Sequence, residues 1–271
     1  MAFTDNCDLF AAVHEDGVNR VIQHIMRQRP SWFNFATADI ANNRELWCNR
    51  PQYTQDVVKY KNPIFKIEPP IPILGSDSPA VFIGFCAQLT KALIDFHPGN
   101  KIGLPGELSP PLKPQHFSLE FRVCGGLECP PDAEVQQIPL GGTHQNVTGA
   151  EANTNVPPPV VLRGQPNCFC LDVFVIGHFE DSNGFLLGKI DDIDTVDIKP
   201  DKLEDNINCY LKTAVNVVLR EKLAISVQAL ALSFPLFNIA TITLSPTPNP
   251  PVPNNPAIED DELKVFITMT V

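Results

Sequence analysis

Eight cysteines are the residues of this sequence best able to carry metal or redox chemistry. They occupy positions 7, 48, 86, 124, 129, 168, 170 and 209, without regular spacing. Zinc sites usually contain two close pairs such as CxxC, and neither Cys124 with Cys129 nor Cys168 with Cys170 has that form. Disulfide frameworks are typical of short secreted chains, whereas this chain has 271 residues. We therefore expect eight reduced thiols that act as small buried hydrophobes, and no metal site.

Histidines and a run of aspartates are the next candidates for ligands or catalysts. His14 and His24 lie ten residues apart, so they do not form the i, i+4 pair of a helical metal site. The aspartates at 191, 192, 194 and 197 suggest calcium, but the glycine and the distal glutamate of an EF-hand loop are missing. We interpret them as a solvated turn and strand edge, where charge discourages edge pairing.

Catalytic and nucleotide-binding signatures are absent from the sequence. It contains no GxSxG, HExxH or GxxxxGK[ST] motif, and no GxGxxG motif between a strand and a helix. The segment GNKIGLPG at 99–106 lacks the Lys-Ser or Lys-Thr ending of a phosphate-binding loop. The prediction is a protein without enzymatic activity and without a cofactor.

The charge balance limits the classes of partner. Lys and Arg total 20 against 31 Asp and Glu, which gives a net charge of −11. Proteins that bind nucleic acid normally present a basic patch, so we expect no such partner. The densest basic cluster is RQR at 27–29, and no polybasic membrane anchor is visible. With no export signal recognised and no apolar run of about 18 residues, we expect a cytoplasmic protein without a transmembrane segment, with non-classical release left open.

Two segments have the apolar periodicity of long helices. Residues 8–29 place apolar side chains at spacings of three and four before Pro30 stops the pattern. Residues 201–222 carry one apolar stripe opposite a polar face, and Pro200 with Asp201 is typical of a helix start. The sequence therefore predicts two long helices.

Most of the remaining apolar segments have the patterns of strands. Residues 80–96 are apolar on both faces in their first half, and HFSLEFRV at 116–123 alternates between an apolar and a polar face. Two further runs flank Asn183-Gly184, a strong hairpin signal, and three strand-like runs follow the second helix. Residues 125–166 lack such periodicity and predict a long loop.

The order of elements carries a resemblance to a known family. Its two main parts are the N-terminal helix from Leu9 to Met26 and the stretch IDDIDTVDIKPDKLEDNINCYLKTAVNVVL with its trailing strands. This order resembles the tubular lipid-binding superfamily, proteins akin to bactericidal/permeability-increasing protein. In particular it resembles their bacterial branch, which includes accessory proteins of clostridial neurotoxin gene clusters. The resemblance implies an α+β fold with a long curved antiparallel sheet wrapped around two long helices, as a single elongated module over 1–271.

The same resemblance implies a function in binding or carrying a lipid or another elongated hydrophobic ligand. The ligand would lie in an apolar groove between the sheet and a helix. The candidate lining residues are inward-facing aromatic and branched side chains: Phe82, Phe117, Phe121, Phe174, Val215 and Val218. For each of them singly, a place in a filled core is the commoner outcome, because unfilled apolar volume is rare in proteins.

A second hypothesis is a non-enzymatic structural or interaction subunit of a multiprotein assembly or toxin gene cluster. The segment SPTPNPPVPNNP at 245–256 fits an extended polyproline arm that lies on a protein partner. A solvent-exposed loop between strands explains the same prolines. The sequence alone does not distinguish a filled core from an open groove.

Overall fold

The structure is a computed structural model whose described residues are mostly in strands. They are residues 7–77, 80–108, 111–130, 135, 159–182, 185–195, 208–209, 213, 225–226, 232–236, 240–247 and 254–270. The α-helices in these residues are α1 (Glu15–Gln28), α2 (Ala38–Asn42) and α3 (Gln55–Lys59). The strands are β1 (Leu9–His14), β2 (Asn34–Ala36), β3 (Lys66–Ile67), β4 (Ile71–Asp77), β5 (Ala80–Ile83), β6 (Phe85–Phe96), β7 (His116–Cys129), β8 (Val160–Leu162), β9 (Gln165–Ser182), β10 (Phe185–Thr195), β11 (Ile225–Ser226), β12 (Leu232–Leu236), β13 (Ala240–Pro246), β14 (Ala257–Glu259) and β15 (Glu262–Thr270).

The chain divides into two compact units. Unit 1 contains residues 1–22, 91–121 and 172–271, and unit 2 contains residues 23–90 and 122–171. The chain passes from one unit to the other within α1, β6, β7 and β9. The expected single module over 1–271 stays a prediction.

Unit 1 contains an antiparallel sheet in the order β1-β15-β13-β12, with β14 also paired to β15. In the same unit β9 and β10 form an antiparallel hairpin, whose register shifts between Ile190 and Asp192. Among the described residues of unit 1, the core contains three groups of buried side chains. They are Val173, Val175, Ile190 and Ile193 in the first, Phe96, Phe117 and Ile258 in the second, and Ile102, Leu108 and Phe174 in the third.

Unit 2 is built around β2, which pairs antiparallel with β6 and parallel with β3. A small sheet in the order β4-β5-β8 belongs to the same unit. The core contains Ala36, Ile40, Phe65 and Cys86, with Trp47 packed against them.

The first predicted helix is wrong in its N-terminal part. Residues 9–14 form β1, and only residues 15–28 form a helix. β1 pairs with β15 from Leu9 opposite Ile267 to His14 opposite Glu262. Phe10 also packs against Phe266, with ring centroids 5.4 Å apart. A short apolar run does not distinguish strand from helix by its periodicity, and here a partner strand from the other end of the chain decides.

The predicted architecture of a long curved sheet wrapped around two long helices is also wrong. Among the described residues, α1 is the only helix longer than five residues, and the strands form open sheets. The second predicted helix, at 201–222, lies outside the described residues except for Asn208, Cys209 and Thr213, which are helical. No helix in the described part of the chain is long and apolar enough to cross a membrane.

The prediction of eight reduced thiols is wrong as well. Unit 2 contains two disulfides, Cys48–Cys168 and Cys124–Cys170. Their cysteines are separated by 120 and 46 residues in sequence. Sequence spacing did not indicate these pairs, because the cysteines meet only when distant strands and loops of unit 2 come together.

Local strand signals were more reliable than helix signals. Residues 80–96 form β5 and β6, and the hairpin around Asn183-Gly184 is confirmed by the pairing of β9 with β10. The predicted loop at 125–166 is wrong at both ends, because β7 extends to Cys129 and the loop's last residues include β8 and the start of β9. Most of the residues between lie outside the described ones. The expected polar face of β7 is not uniformly wet, because Ser118 is fully buried.

Candidate functional site

A cavity of about 740 Å³ lies in unit 2. Its lining residues are Arg27, Arg44, Trp47, Arg50, Pro51, Gln52, Tyr53 and Thr54. They come from the last turn of α1, from a 3-10 turn at Arg44–Leu46 and from the segment that leads into α3. The volume falls within the range of about 300–1,000 Å³ that is typical of small-molecule sites. We call this feature the arginine cavity.

Three guanidinium groups give the arginine cavity a positive charge. Arg27 Nη2 donates a long hydrogen bond of 3.4 Å to Gln52 Oε1, and the Arg44 guanidinium lies 5.8 Å from the centroid of the Trp47 ring. In the described part of the chain, Arg27, Arg44 and Arg50 form no ion pair with a carboxylate. Like charges that share one cavity repel, and an anion bound between them would relieve that repulsion.

The aromatic wall of the arginine cavity is held by its own hydrogen bonds. Trp47 Nε1 donates to the carbonyl oxygens of Ile40 and Ala41 at 3.0 and 3.3 Å. The indole also packs against Phe65, with ring centroids 4.9 Å apart. A half-buried indole needs a partner for its N–H, and α2 supplies that partner at its C-terminal end. The orientation of the ring is therefore set by α2 and the core.

The backbone between Trp47 and Arg50 is held at two successive residues. Cys48 forms its disulfide with Cys168. Asn49 donates its backbone N–H to Gln88 Oε1 at 2.7 Å, and its carbonyl oxygen accepts from Gln88 Nε2 at 3.0 Å. Because the Gln88 side chain is fully buried, these bonds are shielded from water. Arg50 thus projects from a fixed backbone, which is what a preorganised binding site requires.

Thr54 adds a polar group to the arginine cavity. Its backbone N–H donates to the carbonyl oxygen of Arg27 at 3.2 Å, which joins α3 to the end of α1. Its buried hydroxyl has no hydrogen-bond partner among the described residues. Buried hydroxyls are normally paired, so this one is an exception among the residues that line the arginine cavity.

The predicted groove residues lie apart from the arginine cavity. Phe82 is half-buried in β5 of unit 2, opposite Val161 of β8. In unit 1, Phe117 and Phe174 are buried in different core groups and Phe121 packs against a third. Val215 and Val218 lie outside the described residues. Their role as ligand contacts stays a prediction.

One part of this site was evident from the sequence and the rest was not. The densest basic cluster, RQR at 27–29, contains Arg27. The segment RELWCNRPQY at 44–53 interleaves two arginines with a tryptophan and a tyrosine, and this pattern was a usable signal. What the sequence could not show is that this segment and the end of α1 border one cavity.

Comparison with known proteins yields only weak structural likeness. No protein-family model and no curated protein matches the chain. The crystal structure of lipopolysaccharide binding protein is similar over the whole of this chain and 45% of its own, with a TM-score of 0.31 and 13% sequence identity. A likeness at this level neither shows a shared fold nor assigns a ligand. The resemblance to the tubular lipid-binding superfamily therefore stays a prediction.

Proposed function

We propose that this protein binds an anionic amphipathic ligand of the lipid class in the arginine cavity, and that it catalyses no reaction there. The observation that carries the proposal is the set of Arg27, Arg44 and Arg50, which have no carboxylate partner in the described residues of a chain with a net charge of −11. In an acidic chain, three arginines directed to one cavity without acidic partners favour an anionic ligand.

The chemistry of the lining residues matches the two parts of such a ligand. A guanidinium group donates paired hydrogen bonds to phosphate or carboxylate oxygens, so the arginines would hold the headgroup. Trp47 and Tyr53 offer aromatic surface to the apolar part that adjoins the headgroup. This location differs from the groove expected from the sequence, which depended on two long helices.

Binding without catalysis follows from the types of the described lining residues. They include no histidine, cysteine, aspartate, glutamate or lysine. These five types supply most general acids, general bases and nucleophiles in enzymes. The proposal therefore assigns recognition of a ligand to this cavity and no reaction.

The first prediction tests this proposal with vesicles of defined composition. We expect the protein to bind phosphatidylglycerol vesicles and not phosphatidylcholine vesicles in a flotation assay. Arg44→Gln combined with Arg50→Gln should weaken this binding by at least about 10-fold, because each change removes charged hydrogen bonds to the headgroup. The matched control is Arg29→Gln combined with Lys59→Gln, which removes the same charge from exposed positions of unit 2 outside the cavity.

Two outcomes would contradict the proposal. If the two double variants lost vesicle binding equally, net charge and not the arginine cavity would govern binding. Absence of binding to phosphatidylglycerol by a protein with a normal unfolding transition would exclude an anionic lipid of this kind. Circular dichroism of every variant checks that the fold is intact.

An interaction subunit stays as the alternative function because of one observation. Large apolar side chains of unit 2 are well exposed, with Trp32 and Tyr60 at 64% and Leu74 at 96% of their full accessible area. Exposed apolar surface of this kind is a common feature of sites where proteins associate. Sedimentation velocity tests the case of self-association. A concentration-dependent increase in sedimentation coefficient that Leu74→Ser removes would support it, whereas a monomer at every concentration would oppose it.

A further inference from the structure

Unit 1 brings two histidines and an aspartate together on three neighbouring strands. His116 begins β7, His178 lies in β9 and Asp191 lies in β10, and the order of these strands in their sheet is β10-β9-β7. One nitrogen of each imidazole and one carboxylate oxygen of Asp191 all lie within 4.8 Å of one another. We call these three residues the His-Asp cluster.

The register shift in β10 explains how Asp191 reaches this position. Ile190 pairs with Gly177 and Asp192 pairs with Ile176, so Asp191 is the extra residue between two paired ones. An extra residue of this kind alters the alternation of side chains along a strand, and bulges often redirect a side chain beside a functional site. As a result, Asp191 and Asp192 line the same cavity although they are sequence neighbours.

The hydrogen bonds of His116 decide which of its nitrogens is available. His116 Nδ1 lies 2.9 Å from the carbonyl oxygen of Pro114. A carbonyl oxygen only accepts, so Nδ1 carries the proton and the Nε2 of a neutral imidazole carries a lone pair. That Nε2 lies 3.4 Å from Asp191 Oδ2, so an imidazole lone pair and a carboxylate oxygen, both acceptors, face each other when the His116 imidazole is neutral. A cation between them, either a proton or a metal ion, removes this repulsion.

We infer that the His-Asp cluster binds a divalent transition-metal ion, and we commit to Zn²⁺. Imidazole nitrogens and a carboxylate oxygen are ligands that Zn²⁺ prefers, whereas Ca²⁺ prefers oxygen ligands alone. The bond from His116 Nδ1 to a backbone carbonyl is the usual outer contact of a metal-binding histidine, because it fixes the tautomer and the plane of the ring. The inference goes beyond the proposed ligand site, since all three residues belong to unit 1.

Two distances in the His-Asp cluster, those from the histidines to Asp191, are close to the ones such a site needs. Tetrahedral zinc with bonds of about 2.0–2.1 Å has neighbouring ligand atoms about 3.3 Å apart. His116 Nε2 and Asp191 Oδ2 are separated by 3.4 Å, and His178 Nδ1 and Asp191 Oδ2 by 2.8 Å. When no metal is bound, a hydrogen bond joins His178 and Asp191. A small rotation of the His178 ring would lengthen the distance between these two atoms to the value that zinc ligands need. Side chains that are 23–33% exposed leave the ion an entry path.

A neighbouring cavity provides space for the fourth ligand. Its volume is about 320 Å³, and it is lined by Leu108, Pro111, Leu112, Lys113, His116, Ile176, Asp191 and Asp192. Three protein ligands with a water in the fourth position are the common arrangement of an open zinc site. The residues therefore resemble an open site more closely than a closed structural one. The inference differs from two expectations from the sequence, namely the absence of a metal site and the interpretation of Asp191 as part of a solvated edge.

Metal titration of the full chain tests the inference. The chain is purified without a histidine tag, treated with a chelator and titrated with Zn²⁺ by calorimetry. We expect one Zn²⁺ per chain at this site and a rise in melting temperature on binding. His178→Gln and Asp191→Asn should each weaken Zn²⁺ binding by about 100-fold or more, a larger loss than an outer contact produces. With Co²⁺ as the probe, visible absorption bands of tetrahedral geometry should appear and should be lost in both variants.

His24→Gln is the matched control, because His24 is an exposed histidine of α1 outside the cluster. Asp191→Asn keeps an oxygen that accepts from His178, so it tests the ligand role even if His178→Gln does not fold. The inference would be overturned if His24→Gln weakened Zn²⁺ binding as much as Asp191→Asn does. The absence of Zn²⁺ binding at about 100 µM, far above the concentrations at which three-ligand zinc sites are filled, would also overturn it.

Discussion

Removal of the Cys48–Cys168 disulfide is expected to lower the free energy of unfolding by about 3–5 kcal/mol. The two cysteines are 120 residues apart, so the cross-link restricts a large part of the unfolded chain. In the chain-entropy account, a closed loop of about 100 residues contributes roughly 4.7 kcal/mol. The variant is Cys48→Ala combined with Cys168→Ala, and the measurement is urea unfolding followed by circular dichroism.

The control for this prediction is Cys129→Ala. Cys129 is exposed and belongs to neither disulfide, so its replacement should change the free energy of unfolding by no more than about 0.5 kcal/mol. Intact mass gives an independent check, because reduction of both disulfides should add four hydrogens, about 4 Da. Identical masses with and without reductant, or equal stability of the double variant and the parent, would refute the pairing.

Gly177→Ala is expected to destabilise unit 1 by about 3 kcal/mol. A Cβ atom at Gly177 would lie 2.5 Å from the carbonyl oxygen of Lys189 and 2.9 Å from Cζ of Phe117. Real Cβ atoms do not approach other atoms this closely, so the β9–β10 hairpin or the Phe117 ring would have to move. Phe117 cannot move freely, because it is buried and packs against Phe179 with ring centroids 5.1 Å apart.

Gly188→Ala is the matched control on the opposite strand of the same hairpin. A Cβ atom there would meet only Cε1 of Phe179, at an ordinary contact distance of 3.7 Å. We expect a change of no more than about 0.5 kcal/mol in the free energy of unfolding. If Gly177→Ala and Gly188→Ala lowered the free energy of unfolding by similar amounts, close packing over Gly177 would not be the cause of the destabilisation.

Phe117 illustrates how far the candidate site could be inferred from the sequence. Its inward orientation on β7 followed from alternation alone, and its burial agrees with that. Whether an inward ring meets a ligand or another side chain depends on what faces it. The Phe117 ring lies over Gly177, with its Cζ atom 2.9 Å from where a Cβ atom would be, so that space is filled by the protein itself. The arginine cavity is the opposite case. Its lining residues follow no apolar periodicity, so the sequence pattern did not predict that they would lie together.

The sequence by itself determined the local elements in which neighbouring residues carry the signal. Alternation with a period of two predicted β7 and the β9–β10 hairpin, because side chains of a strand point to opposite faces wherever that strand lies. The stop at Pro30 was likewise local, since proline restricts its own backbone and that of its neighbour. These features needed no knowledge of the rest of the chain.

Tertiary structure decided everything that joins residues far apart in sequence. Residues 9–14 form β1 and not the predicted helix because β15, about 250 residues later in the chain, provides a pairing partner for each of them. Tertiary structure also paired Cys48 with Cys168 and placed His116, His178 and Asp191 on adjacent strands. Side-chain type specifies what each of these residues can do, but separation in space decides whether they do it together. That separation is set by strand pairing and packing, which no local pattern records.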